Sequence, residues 1–228
     1  MSRSKSVGVG VRGGVRRGFS LVEMLVALTV LGLLSALSIP TMLHVAVGMR
    51  YGHGIYAISE TLEQARSHAM AHGTHVWVAM VPKVDGAGGV DGVFMSLFAS
   101  ADRTSDFQPQ NLVALARPSA VRGAQLTEVG EQVLTERFRG AGLLRLGGWA
   151  GEGRTKAPGA EELEAEDLVV LRVDPRGSMT MRSGSSGEWE TFRWLEIGLM
   201  ETRRKASQSP NLGVIQISGL TGQVLVFR

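Results

Sequence analysis

The sequence predicts an α+β fold, a long N-terminal transmembrane and then amphipathic helix packed on an antiparallel β-sheet head. Three observations predict it. From Met24 to Met49 there are 26 positions without Asp, Glu, Lys or Arg, more than the roughly 20 that a helix needs to cross a bilayer. Ile55, Ile58, Leu62, Ala65 and Ala69 then recur three and four apart, which is the stripe of an amphipathic helix. After Gly73 the period changes to two, the alternation of half-buried strands.

Taken in order, residues 1–18 form a basic leader with no acidic residue. Residues 19–49 follow as a membrane helix, apolar all round through Leu25, Val26, Leu28, Leu31 and Leu34. Basic residues in front of it predict a cytoplasmic N-terminus, with the remainder on the outer side of the inner membrane. Pro40, Gly48, Gly52 and Gly54 weaken the helix without ending it, since a membrane segment tolerates such residues. Residues 50–73 continue it into the head, with Glu60, Glu63, Gln64, Arg66 and His68 on the polar face and Gly73 placed as a C-terminal cap. From Phe19 to His72 such a helix would measure on the order of 80 Å at about 1.5 Å per residue.

Residues 74–228 read as the β-rich head. His75–Val81, Gly92–Phe98, Leu168–Asp174, Ser178–Arg182 and Glu188–Ile197 read as strands. Val214–Ser218 pairs with Gln223–Arg228 as a closing hairpin. Asp85–Asp91 and the polar, acidic Gly147–Asp167 are loops. A head starting near Tyr56 is expected to be soluble and to fold by itself, because the stripe and the strands supply a core.

Composition narrows the chemistry. Cysteine is absent from the 228 residues, which removes disulfides, thiolate metal sites and thiol nucleophiles. The formal charge of +3 is misleading. Arg3, Lys5, Arg12, Arg16 and Arg17 stand in the leader, and without them 19 basic residues face 21 acidic ones. A nucleic-acid-binding domain should keep its positive charge on the folded part. This one does not.

The informative segment is Arg16-Arg17-Gly18-Phe19-Ser20-Leu21-Val22-Glu23, followed directly by the apolar run. A carboxylate one turn into a membrane helix costs roughly 2.5–3.5 kcal/mol when unpaired. A new positive charge would offset it, and cleavage after Gly18 would create one at the amino group of Phe19.

This segment resembles the type IV prepilin signal, in which Gly is followed by Phe, a small hydroxyl residue, Leu, any residue and Glu. The resemblance implies cleavage between Gly18 and Phe19 by a prepilin peptidase, and N-methylation of Phe19. It implies that Glu23 acts in assembly, pairing with the N-terminus of a neighbouring subunit. Gly32 and Pro40 fall where pilins often carry the same residues. More loosely, Leu62–Val78, the turn Asp174-Pro175-Arg176-Gly177 and the hairpin Val214–Phe227 resemble the H-type minor pseudopilins of type II secretion and related minor pilins. The absence of cysteine departs from the disulfide-looped head of many major pilins, and the Gly147–Asp167 insertion has no counterpart.

The resemblance therefore implies a structural subunit of a pilus-like filament, in a type II secretion pseudopilus. The alternative is a minor pilin of a type IV pilus, for adhesion or DNA uptake. A reading of another class, an exported soluble binding protein, leaves Glu23 unexplained, as does a twin-arginine signal at Arg16-Arg17. The expected partners are the prepilin peptidase, other pseudopilins or pilins and the inner membrane. The expected location is a single-pass precursor with a periplasmic head, later part of a periplasmic or surface filament.

Other constellations read as structural. His68 and His72 stand one turn apart, but no third metal ligand is evident. Glu161, Glu162, Glu164, Glu166 and Asp167 lack the alternating pattern of a calcium loop. Gly86, Gly88, Gly89 and Gly92 lack the Lys and hydroxyl residue of a phosphate loop. Trp149, Trp189 and Trp194 read as core or subunit contacts. Arg203, Arg204 and Lys205 would neutralise few phosphates, so nucleic acid is not an expected partner. No nucleophile with a partnered base can be read from the chain. Neither a metal nor another cofactor is expected, and the chain is not read as an enzyme.

Overall fold

A computed structural model describes residues 20–105, 107–129, 142–146, 154, 156–159, 168–183, 188–202 and 212–228, and of residues 37–48 the backbone alone. The chain is α+β and divides into two compact units, 1–44 and 45–228. Helix α1 runs over Leu21–His72 and passes through Pro40. It ends where the sequence places its cap. Gly73 takes a left-handed φ of 60°, and the N–H of Thr74 reaches back to the carbonyl of Ala69 at 3.1 Å. That is the six-residue closure of a Schellman motif, which needs a residue without a Cβ penalty at this position.

Within residues 45–228, the second half of α1 packs on two sheets rather than the single sheet expected. The first is ordered β3-β2-β1-β7-β8-β9, with β4 also on β2. Its strands are β1 (Val76–Val84), β2 (Val90–Ser100), β3 (Leu112–Ala114), β4 (Ser119–Arg122), β7 (Val169–Val173), β8 (Met179–Ser183) and β9 (Glu190–Thr191). The second is ordered β12-β11-β10-β5, with β6 beside β10. It comprises β5 (Ala124–Thr127), β6 (Leu143–Arg145), β10 (Trp194–Glu201), β11 (Leu212–Ser218) and β12 (Val224–Phe227). The pairings are antiparallel apart from β6 with β10, which is parallel and so departs from the purely antiparallel expectation. The physical cause of the second sheet is the short path Val121–Ala124. The chain leaves β2 at β4, turns at Gly123 with φ 86°, and enters β5 against β10.

The core lies between α1 and both sheets. Ile55, Ile58, Leu62, Ala65 and Ala69 are fully buried, as their spacing predicts. They meet Val78 and Leu171 of the first sheet and Leu195, Ile197 and Ile215 of the second. Each buried Ile, Leu or Val side chain contributes about 1.5–3 kcal/mol by leaving water. The first sheet is buried on its other face too. There Trp77, Val81, Phe94, Phe98 and Val170 form a second cluster, covered by Phe107, Leu112, Ala157 and Trp189. β1 and β2 accordingly read as near-continuous apolar runs rather than clean alternation.

At the C-terminal end of α1 the two sheets are joined. The N–H of Met179 on β8 donates to the carbonyl of Gly219 after β11 at 2.7 Å. The turns Asp174–Gly177 and Ser218–Gln223 also touch, since a Cβ built on Gly222 would run into the Gly177 carbonyl oxygen.

Candidate functional site

The candidate site is the start of α1. Gly18 and Phe19 lie outside the described residues; Ser20 and Glu23 lie within them. The carbonyl of Ser20 accepts the first helical bond, from the N–H of Met24 at 3.1 Å. Glu23 is exposed in the first turn, where the positive end of the helix dipole favours a carboxylate. Ser20-Leu21-Val22-Glu23 also has the serine and glutamate spacing of a capping box. The sequence reading did not note this spacing, although it is legible there.

Beyond Glu23 the helix surface is apolar and open. Leu21, Leu25, Leu28, Leu31 and Leu34 are each more than half exposed, between 58% and 80% for the first four and 57% for Leu34. No face of this segment is set aside for polar residues. Thr29, the one hydroxyl residue among its neighbours from Leu28 to Val30, returns its proton to the carbonyl of Val26 at 2.8 Å. A hydroxyl satisfied within its own helix can face hydrocarbon. A Cβ at Gly32 would meet nothing within 4 Å, so the gap there is open to an approaching partner. Among the described residues no helix is long and apolar enough to cross a membrane. Positions 37–48 of the uncharged run lie outside the described side chains.

The other sequence candidates sort as follows. The rings of His68 and His72 stack, with centroids 4.0 Å apart and planes 20° from parallel. Nδ1 of His72 lies 3.1 Å from the carbonyl oxygen of His68. Burial and the neighbouring His72 hold the His68 pKa below its ordinary value. Among the described residues no group of three or more His, Cys, Asp or Glu could hold a metal ion. Oδ1 of Asp85 accepts the N–H groups of Ala87 and Gly89 at 2.9 and 2.8 Å, which closes the glycine loop as a turn. Trp189 lies under the guanidinium groups of Arg172 and Arg182, at 4.5 and 5.4 Å. Trp194 sits partly buried on β10. Trp149, the acidic run from Glu161 to Asp167, and Arg203, Arg204 and Lys205 lie outside the described residues.

Two features had no sequence signal. Glu196 is fully buried on β10, where Gln216 donates to it at 3.2 Å and Arg145 pairs with it at 3.3 Å. A groove of about 410 Å³ runs between α1 and β4, lined among others by Arg50, His53, Glu60, Ser119 and Arg122. It depends on β4, a four-residue strand with three exposed positions, whose pattern could not announce itself.

Residues 15–39 match the family model described as the prokaryotic N-terminal methylation motif. No curated protein and no solved structure matches the chain. The matched span contains Arg16 to Glu23 and the first part of the apolar run, the same residues that resemble a prepilin signal. Joined to a helix-led α+β chain with antiparallel sheets, the motif supports a type IV pilin-like protein, a filament subunit processed by prepilin peptidase rather than an enzyme.

Proposed function

We propose that the chain is a minor pseudopilin of a type II secretion system, held as a single-pass inner-membrane precursor and assembled into a periplasmic filament with other pseudopilins. The observation that carries this reading is the motif at residues 15–39. Prepilin peptidase cleaves between Gly18 and Phe19 and methylates the new amino group. Leu21 to Met49 then packs against neighbouring helices in the bilayer, where association rests on close packing and on satisfied polar groups. Glu23, alone among apolar neighbours, takes the N-terminal amine of an adjacent subunit as its partner. That pair sets the axial register, because an unpaired carboxylate in hydrocarbon is strongly disfavoured.

A minor pilin of a type IV pilus is the second reading. The same N-terminal chemistry serves it, and the absence of cysteine suits a minor subunit of either system. Co-expression with a prepilin peptidase, followed by mass spectrometry, tests the common core of both. The mature chain should begin at Phe19 and carry one methyl group. An intact N-terminus, or one generated after Ala36, would remove the basis of the reading. Cross-linking of the membrane form to secretion or pilus subunits would then separate the two systems.

A further inference from the structure

We infer that the head carries a lipid-facing collar, in which Arg50, Arg122 and Arg228, with Tyr56, engage the headgroups of anionic phospholipids. The inference rests on the membrane-inserted precursor just proposed and adds a contact made by the head itself. Its first support is position. The uncharged run ends at Met49, and the next residue is Arg50. A helix leaving hydrocarbon at Met49 brings Arg50 to the headgroup layer, where Arg and Tyr side chains place charge in water and carbon in the lipid.

The second support is clustering from three distant parts of the chain. The backbone of Arg50 abuts Gly123, whose built Cβ would stand 3.2 Å from the Arg50 Cβ, so Arg122 arrives beside it. Arg50, His53 and Arg122 line one groove. On the adjoining side the Arg228 guanidinium lies across Gly52 and over the rings of Tyr51 and Tyr56, at 6.0 and 5.5 Å. Arg50, Arg122 and Arg228 are exposed, and Tyr56 is 56% exposed.

The third support is charge. Among the described residues neither Arg50 nor Arg122 has an ion-pair partner. The nearby carboxylate of Asp91 is taken by Lys83 at 2.8 Å, and Glu201 is buried. Glu60, the acid that lines the groove, stands ten residues further along α1, about 15 Å away at ~1.5 Å per residue. Exposed guanidinium groups without an ion-pair partner among the described residues therefore stand at Arg50, which ends the uncharged run in sequence, and at Arg122 beside it. A head with a net acidic excess would otherwise be repelled by an anionic leaflet. Each arginine near such a surface favours contact by about fivefold.

The chain has no cysteine, so single-site labelling is clean. Full-length Ser119→Cys, at the groove, and Leu220→Cys, at the far hairpin, would each carry an environment-sensitive fluorophore. Each would be inserted into vesicles of phosphatidylcholine alone or mixed with phosphatidylglycerol. Flotation at high pH reports insertion of the helix independently of the head. The expected result is quenching of the Ser119→Cys label by a headgroup quencher in the anionic vesicles, lost at high salt, with the Leu220→Cys label unquenched. Arg50→Gln with Arg122→Gln should lower that contact by more than tenfold without changing flotation. Flotation with equal quenching in both lipids, or quenching indifferent to salt and to the two substitutions, would overturn the collar alone. Failure to float would overturn the membrane precursor and the collar with it.

Discussion

The carboxylate of Glu63 on α1 accepts the backbone N–H of Val224 on β12 at 3.2 Å, across 161 residues of sequence. β12 is the edge of the second sheet. Ser218 bonds to the carbonyl of Gln223, so Gln223 faces β11 and Val224 turns its amide outward. Glu63 thus occupies a donor that an edge strand would otherwise offer to another chain, while its second oxygen holds Arg66 at 3.4 Å. Glu63→Ala should lower stability by about 1–2 kcal/mol and promote association of the head through β12. Glu63→Gln keeps an acceptor and should lose about half as much. Urea titrations with sedimentation measure both, and equal losses would mean that charge matters more than the bond.

Tyr51 gives the head a distinct alkaline limit. Its hydroxyl donates to the carbonyl of Leu199 at 2.8 Å, and the residue is buried. Burial raises its pKa from 10.0 to about 12, against the lowering influence of the Gly213 backbone and Arg228. The folded state thus holds a proton that the unfolded chain gives up first. This contribution is fully present below about pH 10 and is lost as pH rises towards about 12, a decline on the order of 1 kcal/mol. Tyr51→Phe should be less stable at neutral pH by about 1 kcal/mol, yet lose less on going to alkali. Parallel melting curves of the two proteins across that range check the sign.

The position of Tyr51 also relocates the boundary of an independent head. The stripe begins at Ile55 when read from sequence, which invites a cut near Tyr56. That cut removes Ile55, which is fully buried, and the Tyr51 bond to β10. A head starting at Val45, where the second compact unit begins, should be more stable by several kcal/mol, given the cost of emptying core sites. Denaturation of the two fragments decides this, and equal midpoints would show that the first turns of the head contribute nothing.

Glu23→Ala should leave the precursor membrane-bound and its head folded, because Glu23 is exposed and remote in sequence from the core stripe. Removing a first-turn acid should weaken the helix start by about 0.3–1 kcal/mol. Incorporation into filaments should fall severely. Glu23→Gln keeps the acceptor of a capping box but not the charge. It therefore separates the two uses of this residue: normal incorporation with Gln would assign Glu23 to helix capping rather than to subunit pairing.

The elements legible in the sequence were those with a long, unbroken period. α1 and its Gly73 cap, β1, β2, β7 and the β11–β12 hairpin all carry such a signal. Glu188–Ile197 also alternates, but the strand breaks at Phe192 and Arg193 for reasons that lie elsewhere in the chain. A Cβ on Gly219 would run into the Phe192 carbonyl oxygen, and the Gly142 carbonyl accepts from both Arg193 and Trp194 at 3.1 Å. Strands β3 to β6 have three or four residues each, too few to establish a period. The division of the strands into two sheets was therefore not legible, nor was the groove beside Arg122. At the N-terminus the reverse holds, because the motif matched at residues 15–39 is written wholly in local sequence.

The bond from Met179 to Gly219, and the contact of Gly177 with Gly222, have a consequence for how the head comes apart. Peeling one sheet from the other at this end would strand a buried amide and carbonyl and open the floor under Ala69. Melting of one sheet should take the other with it, because both use the same helix stripe as their inner wall. Heat should carry both across one transition, and amide exchange from β1 and β10 should report the same opening free energy.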